Sequence, residues 1–380
     1  MRIGIITQPL RDNYGGLLQN FALQQVLLEN GHEPITLDWN GVKTPLWRIV
    51  ASHIKWWLPR KLHLVQEPAY IPNKIEYSVI RQYTTRFINN YIKRSQLLQS
   101  SAEFRYEAKN RNLQALIVGS DQVWRPYYAL GRIFDMYLDF ARDLDVKKIA
   151  YAASFGTDQW EYTPEETKLC SLLAHDFDLV TTREDTGVTL CRQYLGVKAT
   201  HVLDPTMLLD KCAYEKIVAN NNTPISKGNL FHYILDTSKD KSQFIDAIAK
   251  KMGLTPFTAV PDYKGTELTC KLVKTEIDKC IYPEVEKWLR GFMDAEMVIC
   301  DSFHGAVFSI IFNKPFWVIA NKERGNARFN SLLSTFHLEN RLITSDDNIN
   351  VKAPIDWVQV NQILYEKRVS SLRLLLNVLK

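Results

Sequence analysis

A chain of 380 residues with a 46% hydrophobic share is long enough for two packed cores. Its 47 Lys and Arg stand against 42 Asp and Glu, and a net +5 is too mild for a nucleic-acid binder lacking a basic stripe or a known module. Anionic small molecules and a membrane surface stay open as partners. Six scattered cysteines without a C-x-x-C pair argue against a zinc ribbon or a thioredoxin-type motif. Reduced, packed thiols in a cytoplasmic protein are expected, with no metal site and no cofactor.

The opening "MRIGIITQPL" reads as a strand, and it lacks the apolar core of a secretory signal. After the polar loop "QPLRDNYGG", "LLQNFALQQVLLENG" has helical apolar spacing with Gly31 as its stop, and "PITLDW" is again a strand. Together they form a β-loop-α-β unit, the seed of a parallel sheet. Residues 41–75 break this rhythm and mix Trp47, Trp56 and Trp57 with Arg48, Lys55, Arg60 and Lys61. Such a mixture suits a membrane interface, a lipid-linked substrate or an ordinary covering insertion.

Further strands are expected at 113–120, 147–154, 177–184, 200–205, 229–236, 295–302 and 315–320. Helical patterns lie between most of them, at 163–175, 185–195, 241–252 and 284–295. Alternation of this kind predicts an α/β protein with two Rossmann-like domains facing across a cleft. The expected division is 1–175, 176–355, and a final helix over 356–380 lying across both. No apolar run approaches the roughly 20 residues needed to span a bilayer. The chain is therefore expected in the cytoplasm, with any membrane contact peripheral and from the inner face.

Polar residues collect where predicted strands end, which is where open parallel sheets bind ligands. In "MVICDSFHGAVFSIIF", Asp301 or Ser302 reads as a helix N-cap. The free N–H groups there favour an anion, Gly305 permits close approach, and His304 adds a hydrogen bond or a proton. Downstream, Lys322, Arg324 and Arg328 offer cations suited to phosphate or carboxylate. Arg183 follows "LVTT", and Asp204 follows "HVL" before Pro205; the first suits an anion and the second acid-base work, although helix capping and a turn explain them as well.

Nearer the start, "RDNYGGLLQN" holds Asp12, Asn13, Tyr14, Gly15, Gly16 and Gln19 without the G-x-G-x-x-G spacing of a dinucleotide site. "VGSDQVWRP" presents Ser120, Asp121, Gln122 and Trp124, the amide, hydroxyl and aromatic set of a sugar-binding wall. Cys300 beside His304 reads as core.

In order, "NYGGLLQNFAL", "VGSDQVW", "YAASFG", "TREDTG", "VLDPTMLL", "DSFHGAVFSIIFNKPF" and "RFNSLLS" resemble the polysaccharide pyruvyl transferase family, in the version common in bacterial capsule and exopolysaccharide gene clusters. The resemblance runs from about residue 3 to residue 340. It implies a GT-B-like fold, phosphoenolpyruvate as donor, and a sugar acceptor, lipid-linked by expectation, that receives a pyruvate ketal. It further implies that the C-terminal domain holds the donor, through Arg183, Ser302, His304, Gly305, Arg324 and Arg328. The N-terminal domain would hold the acceptor, through Asp12, Asn13, Tyr14, Gly15, Gln19, Ser120, Asp121, Gln122 and Trp124. His304 and Asp204 fall at the catalytic positions. Many members read Ser-x-Arg-x-His at the helix start, whereas this chain reads "CDSFHG" with Phe303 before His304. A donor-site cation is thus missing there, which leaves three readings: Arg324 or Arg328 supplies it, donor affinity is lower, or the donor differs. A nucleotide-sugar glycosyltransferase of the same shape and a non-catalytic carbohydrate or head-group binder are the rival readings.

Overall fold

The computed structural model describes residues 1–40, 70–320, 326–344, 350–351 and 353–380. The Trp- and Lys/Arg-bearing positions 47–61, together with Lys322 and Arg324, lie outside the described residues.

All pairings within the two sheets are parallel. The first sheet contains β1 (Arg2–Ile6), β2 (Glu33–Thr36), β3 (Ala115–Val118), β4 (Lys147–Ala153), β5 (Leu179–Thr182) and β6 (Thr200–His201), ordered β2-β1-β3-β4-β5-β6. The second contains β7 (Leu230–Tyr233), β8 (Pro256–Phe257), β9 (Met297–Cys300), β10 (Phe316–Ile319) and β11 (Leu342–Ile343), ordered β11-β10-β9-β7-β8. Strands such as ALIV, MVIC and FWVI are buried along their whole length, as expected of parallel strands covered on both faces. The α/β class read from the sequence is the class observed.

Residues 177–184 and 200–205, expected to open the second domain, instead supply β5 and β6 of the first sheet. β5 pairs with β4 and β6 with β5, so the first sheet continues to His201 and the second opens at Leu230. A strand joins whichever edge its crossover reaches, and the helix at Pro164–Ala174 returns the chain beside β4.

One contiguous apolar layer lies between the sheets, taking Ile3, Ile117 and Tyr151 from the first and Phe231, Val298 and Phe316 from the second. The helix α1 (Tyr14–Glu29) runs through that layer, which explains why it is buried on nearly every side instead of along one stripe. It starts at Asn13, whose side chain accepts a hydrogen bond from Gly16 N, and ends before Gly31 at φ 76°. Separate clusters cover the outer face of each sheet.

Two further elements tie the halves together. Helix α2 (Lys74–Ile80) packs against residues of the second half, with Tyr282 N donating to Ile80 O at 2.9 Å and Tyr70 N to Leu268 O at 3.1 Å. The last helix begins after β11 and returns to the first sheet, where Lys147 Nζ donates to Val378 O at 2.6 Å. On the way, its Ser371 Oγ accepts from Leu203 N and its Arg368 Nε donates to Met207 O, fixing the turn that carries Asp204. Among the described residues no helix is long and apolar enough to cross a membrane.

Candidate functional site

Four strand-end segments meet where the C-terminal edges of the two sheets face each other. β3 delivers Ser120 and Asp121, β5 delivers Arg183, the segment after β6 delivers Asp204, and β9 leads into α3 (Phe303–Ile311) with His304 in its first turn. Arg183 lies at the centre. Its Nη1 donates to Asp204 Oδ2 at 2.9 Å and its Nη2 to Asp121 Oδ1 at 3.3 Å, while its guanidinium stacks over the Phe303 ring at 4.3 Å. The backbone is pinned too, because Arg183 N donates to Ala153 O and His201 Nε2 donates to Arg183 O.

Asp204 is fully enclosed. Oδ2 also accepts from Ser120 Oγ at 3.0 Å, and Oδ1 accepts from Thr206 N and Thr206 Oγ1. Burial alone would raise its carboxyl, but His304 and Arg183 outweigh that and hold it far below the usual carboxylate range. Asp121 behaves alike: burial is overcome by Arg183, His304 and Arg328. Its φ of 70° turns the chain sharply, and Oδ1 accepts from Gln122 N at 2.9 Å. Both carboxyls are thus held toward the anionic form, each paired with the Arg183 guanidinium.

His304 Nε2 stands 3.6 Å from Asp204 Oδ2 and is buried with no hydrogen-bond partner. The other face of its ring rests on α1. A Cβ built on Gly15 would lie 2.0 Å from His304 Nδ1, so only glycine lets the helix approach this closely. Gly15→Ala is accordingly expected to displace the imidazole and reduce turnover about 10²-fold, the cost of misplacing a reacting group by an ångström. Turnover measured against far-UV circular dichroism checks this, since a merely structural glycine would change stability first.

Arg328, in the helix α4 (Ala327–Thr335), completes the cluster from the second half. Its Nε is buried without a partner, and it makes no ion pair among the described residues. Burial and the like charge of Arg183 pull its guanidinium down to about 10, although Asp121 and Glu184 oppose this. Such a cation gains energy when an anion arrives. Glu184, also buried, accepts from Phe155 N and Gly156 N through Oε1, and burial raises its carboxyl despite Arg183.

The remaining expected residues divide. Asp12, Asn13 and Tyr14 line a cavity of about 620 Å³ that runs toward the strand ends of the second sheet. Asp12, Asn13, Asp121 and Gln122 line a second one of about 380 Å³ on the first-sheet side, with Tyr128. Ser302 precedes α3 as its N-cap without a side-chain capping bond.

Others are interior. Gln19 is fully buried, bridging Thr7, Gly16 O and Ser120 N. Trp124 is stacked on Tyr137 at 4.8 Å with its indole N–H donated to Met136 O, so it has no face to offer a sugar. Gly305 allows packing against Cys300, 2.7 Å from where a Cβ would stand, rather than approach of a ligand. Asp301 is a loop anchor, accepting from Leu235 N, Asp236 N and Lys241 Nζ. Nor do the expected donor and catalytic residues hang from one half: Arg183 and Asp204 follow strands of the first sheet, while His304 and Arg328 come from the second.

Sequence reasoning missed the Asp121–Arg183 pair and Glu184. Their partners are far apart in the chain, and a lone acid at a strand end carries no mark of which cation it will meet.

In overall shape the chain is similar to the S. aureus MnaA–UDP co-structure (12% identity, TM-score 0.49, 98% of this chain and 89% of that one). It is also similar to Methanocaldococcus jannaschii UDP-GlcNAc 2-epimerase in complex with UDP-GlcNAc and UDP (12%, 0.48, 97% and 94%). A third similar structure is Acinetobacter baumannii MurG (9%, 0.41, 98% and 94%). Comparison with curated proteins gives no match. Residues 13–323 match the polysaccharide pyruvyl transferase family, a span that takes in Asp121, Arg183, Asp204 and His304, and the chain belongs to that family.

Proposed function

We propose that the protein transfers the pyruvyl group of phosphoenolpyruvate to two hydroxyls of a sugar, forming a pyruvate ketal and releasing phosphate. The observation that carries this reading is that Arg183 and His304 meet at Asp204, while Arg328, which makes no ion pair among the described residues, lies within the field of Arg183, Asp121 and Glu184. Phosphoenolpyruvate presents a phosphate and a carboxylate to these cations. Arg328 supplies the cation that the "CDSFHG" turn lacks; Arg324 lies outside the described residues.

Protonated His304 delivers its proton to the donor methylene carbon, giving an oxocarbenium-like centre beside the anionic Asp204 and Asp121. A sugar hydroxyl attacks the oxocarbenium carbon, which carries the phosphate oxygen, and gives its proton back to the imidazole. Phosphate departs toward Arg183 and Arg328, and the second hydroxyl closes the ring. Of the two hydroxyl protons, one replaces that spent on the new methyl group and the other leaves with phosphate, so no oxidant or reductant is needed. The role of Asp204 is to hold Arg183 and to stabilise imidazolium across the 3.6 Å gap. A lipid-linked acceptor at a membrane surface belongs to the same proposal, supported by the composition of residues 41–75.

A calorimetric titration with phosphoenolpyruvate should show about ten- to hundredfold weaker binding in Arg328→Ala with the fold intact, because the buried Nε has no hydrogen-bond partner to lose. Equal affinity in wild type and Arg328→Ala, or binding of UDP or GDP in place of phosphoenolpyruvate, defeats the reading.

A further inference from the structure

We infer that Phe303 is a positioning residue: its ring holds the Arg183 guanidinium in one plane and props the His304 imidazole, so that a donor meets both already oriented. The word donor rests on the transfer proposed above.

Arg183 is held at its edge by hydrogen bonds alone. Nη1 donates to Asp204 Oδ2 at 2.9 Å and Nη2 to Asp121 Oδ1 at 3.3 Å, while Nε is buried without a hydrogen-bond partner. Guanidinium N–H groups point outward in the plane of the group, so such bonds fix its edge and leave it able to tilt about them. The second bond is also longer than the usual N–H···O distance. What resists tilting is a contact on the face, and Phe303 supplies it, with the guanidinium carbon 4.3 Å from the ring centroid. The attraction of a cation for the electron-rich face of a ring grows where water is excluded, and both side chains are buried.

The same ring reaches the histidine. Its plane stands at 86° to the imidazole, with centroids 5.3 Å apart, an edge-to-face contact. Gly15 lies against the imidazole from α1. One apolar side chain thus contacts both the cation that receives phosphate in the proposed reaction and the group that moves the proton.

The turn that presents Phe303 is anchored on either side. Before it, Asp301 accepts from Leu235 N and Asp236 N and pairs with Lys241 at 2.7 Å. After it, Gly305 packs directly onto Cys300. Phe303 opens α3 of the second half and Arg183 follows β5 of the first, so the stack also joins the two halves. Were packing the whole role, any apolar side chain of similar volume would serve. Stacking instead requires electron density on the ring face.

The full-length chain is compared with Phe303→Leu and with a chain carrying ring-trifluorinated phenylalanine at position 303. Fluorine draws charge off the ring face and barely changes its shape, so this chain keeps the test open if Phe303→Leu does not fold. Each protein is read twice: by nitrogen relaxation of the Arg183 Nε–H, assigned through Arg183→Lys, and by calorimetric titration with phosphoenolpyruvate. In the wild type the N–H should be as rigid as the backbone around it. Phe303→Leu is expected to loosen it and to weaken phosphoenolpyruvate binding about tenfold or more, the worth of one desolvated cation–π contact. The fluorinated chain should fall between the two on both readings.

A fluorinated chain that matches the wild type on both readings would overturn the assignment and leave Phe303 as packing. So would an Arg183 N–H equally rigid in all three proteins, or donor affinity in Phe303→Leu within about twofold of wild type. If none of the three binds phosphoenolpyruvate while fluorination still loosens Arg183, the donor reading fails and the positioning role stands.

Discussion

Asp204→Asn is expected to destabilise the protein by roughly 3–5 kcal/mol, the usual cost of removing one partner from a buried ion pair. Arg183 and Asp204 are both almost inaccessible to water, and the asparagine would leave the guanidinium with Asp121 alone, at 3.3 Å. The amide retains the size of the carboxyl, so the loss is one of charge and not of packing. A fall in the urea midpoint at unchanged slope measures it. The double variant Asp204→Asn/Arg183→Met should recover much of the loss, because it removes the stranded charge along with its partner. A single-variant cost below about 1 kcal/mol would mean that water reaches the pair and that the cluster is not a dry electrostatic core.

The pH dependence of stability follows with opposite signs. Asp204 and Asp121 have lowered folded-state pKa values, so their contribution is complete above the ordinary carboxylate range near pH 4 and is withdrawn as pH falls below it. Glu184, raised by burial, binds its proton more readily folded than unfolded, so its contribution becomes more favourable as pH falls through its range.

The second large effect belongs to His304→Ala, for which turnover should drop about 10²–10⁴-fold, the worth of a positioned acid-base group. The fold should survive better than in Asp204→Asn, since Nε2 makes no hydrogen bond that the structure depends on. Phosphate release from phosphoenolpyruvate with and without acceptor glycan provides the readout. His304→Gln, which keeps a donor but cannot relay a proton, should be nearly as slow as the alanine variant while binding donor better. Turnover within threefold of wild type in folded His304→Ala would leave proton transfer without its assigned group.

Much of this architecture was legible in local sequence, and the parts that were not share a cause. The strands expected from apolar runs, the α/β alternation and the Gly31 stop all depend on neighbours within a few residues and agree with the structure, whereas the two-residue strands β8 and β11 have no such run and were missed. Sheet membership does not depend on them. "LVTT" looks the same whichever edge it joins, so the boundary at 176 misplaced β5 and β6. Trp124 looked like a sugar platform because a strand-end aromatic reads alike on either side of its backbone, and it turned inward onto Tyr137. Asp121 found its arginine 62 positions away, a separation that no motif records.

The contact of Gly15 with His304 joins residues from the two halves of the chain. A recombinant protein taking its first half from this chain and its second from a relative would inherit a requirement for a side chain of zero size opposite the imidazole. The two halves are thus matched parts: an exchange between family members preserves the site only where both the glycine at position 15 and the ring it supports travel together or recur in the donor of the other half.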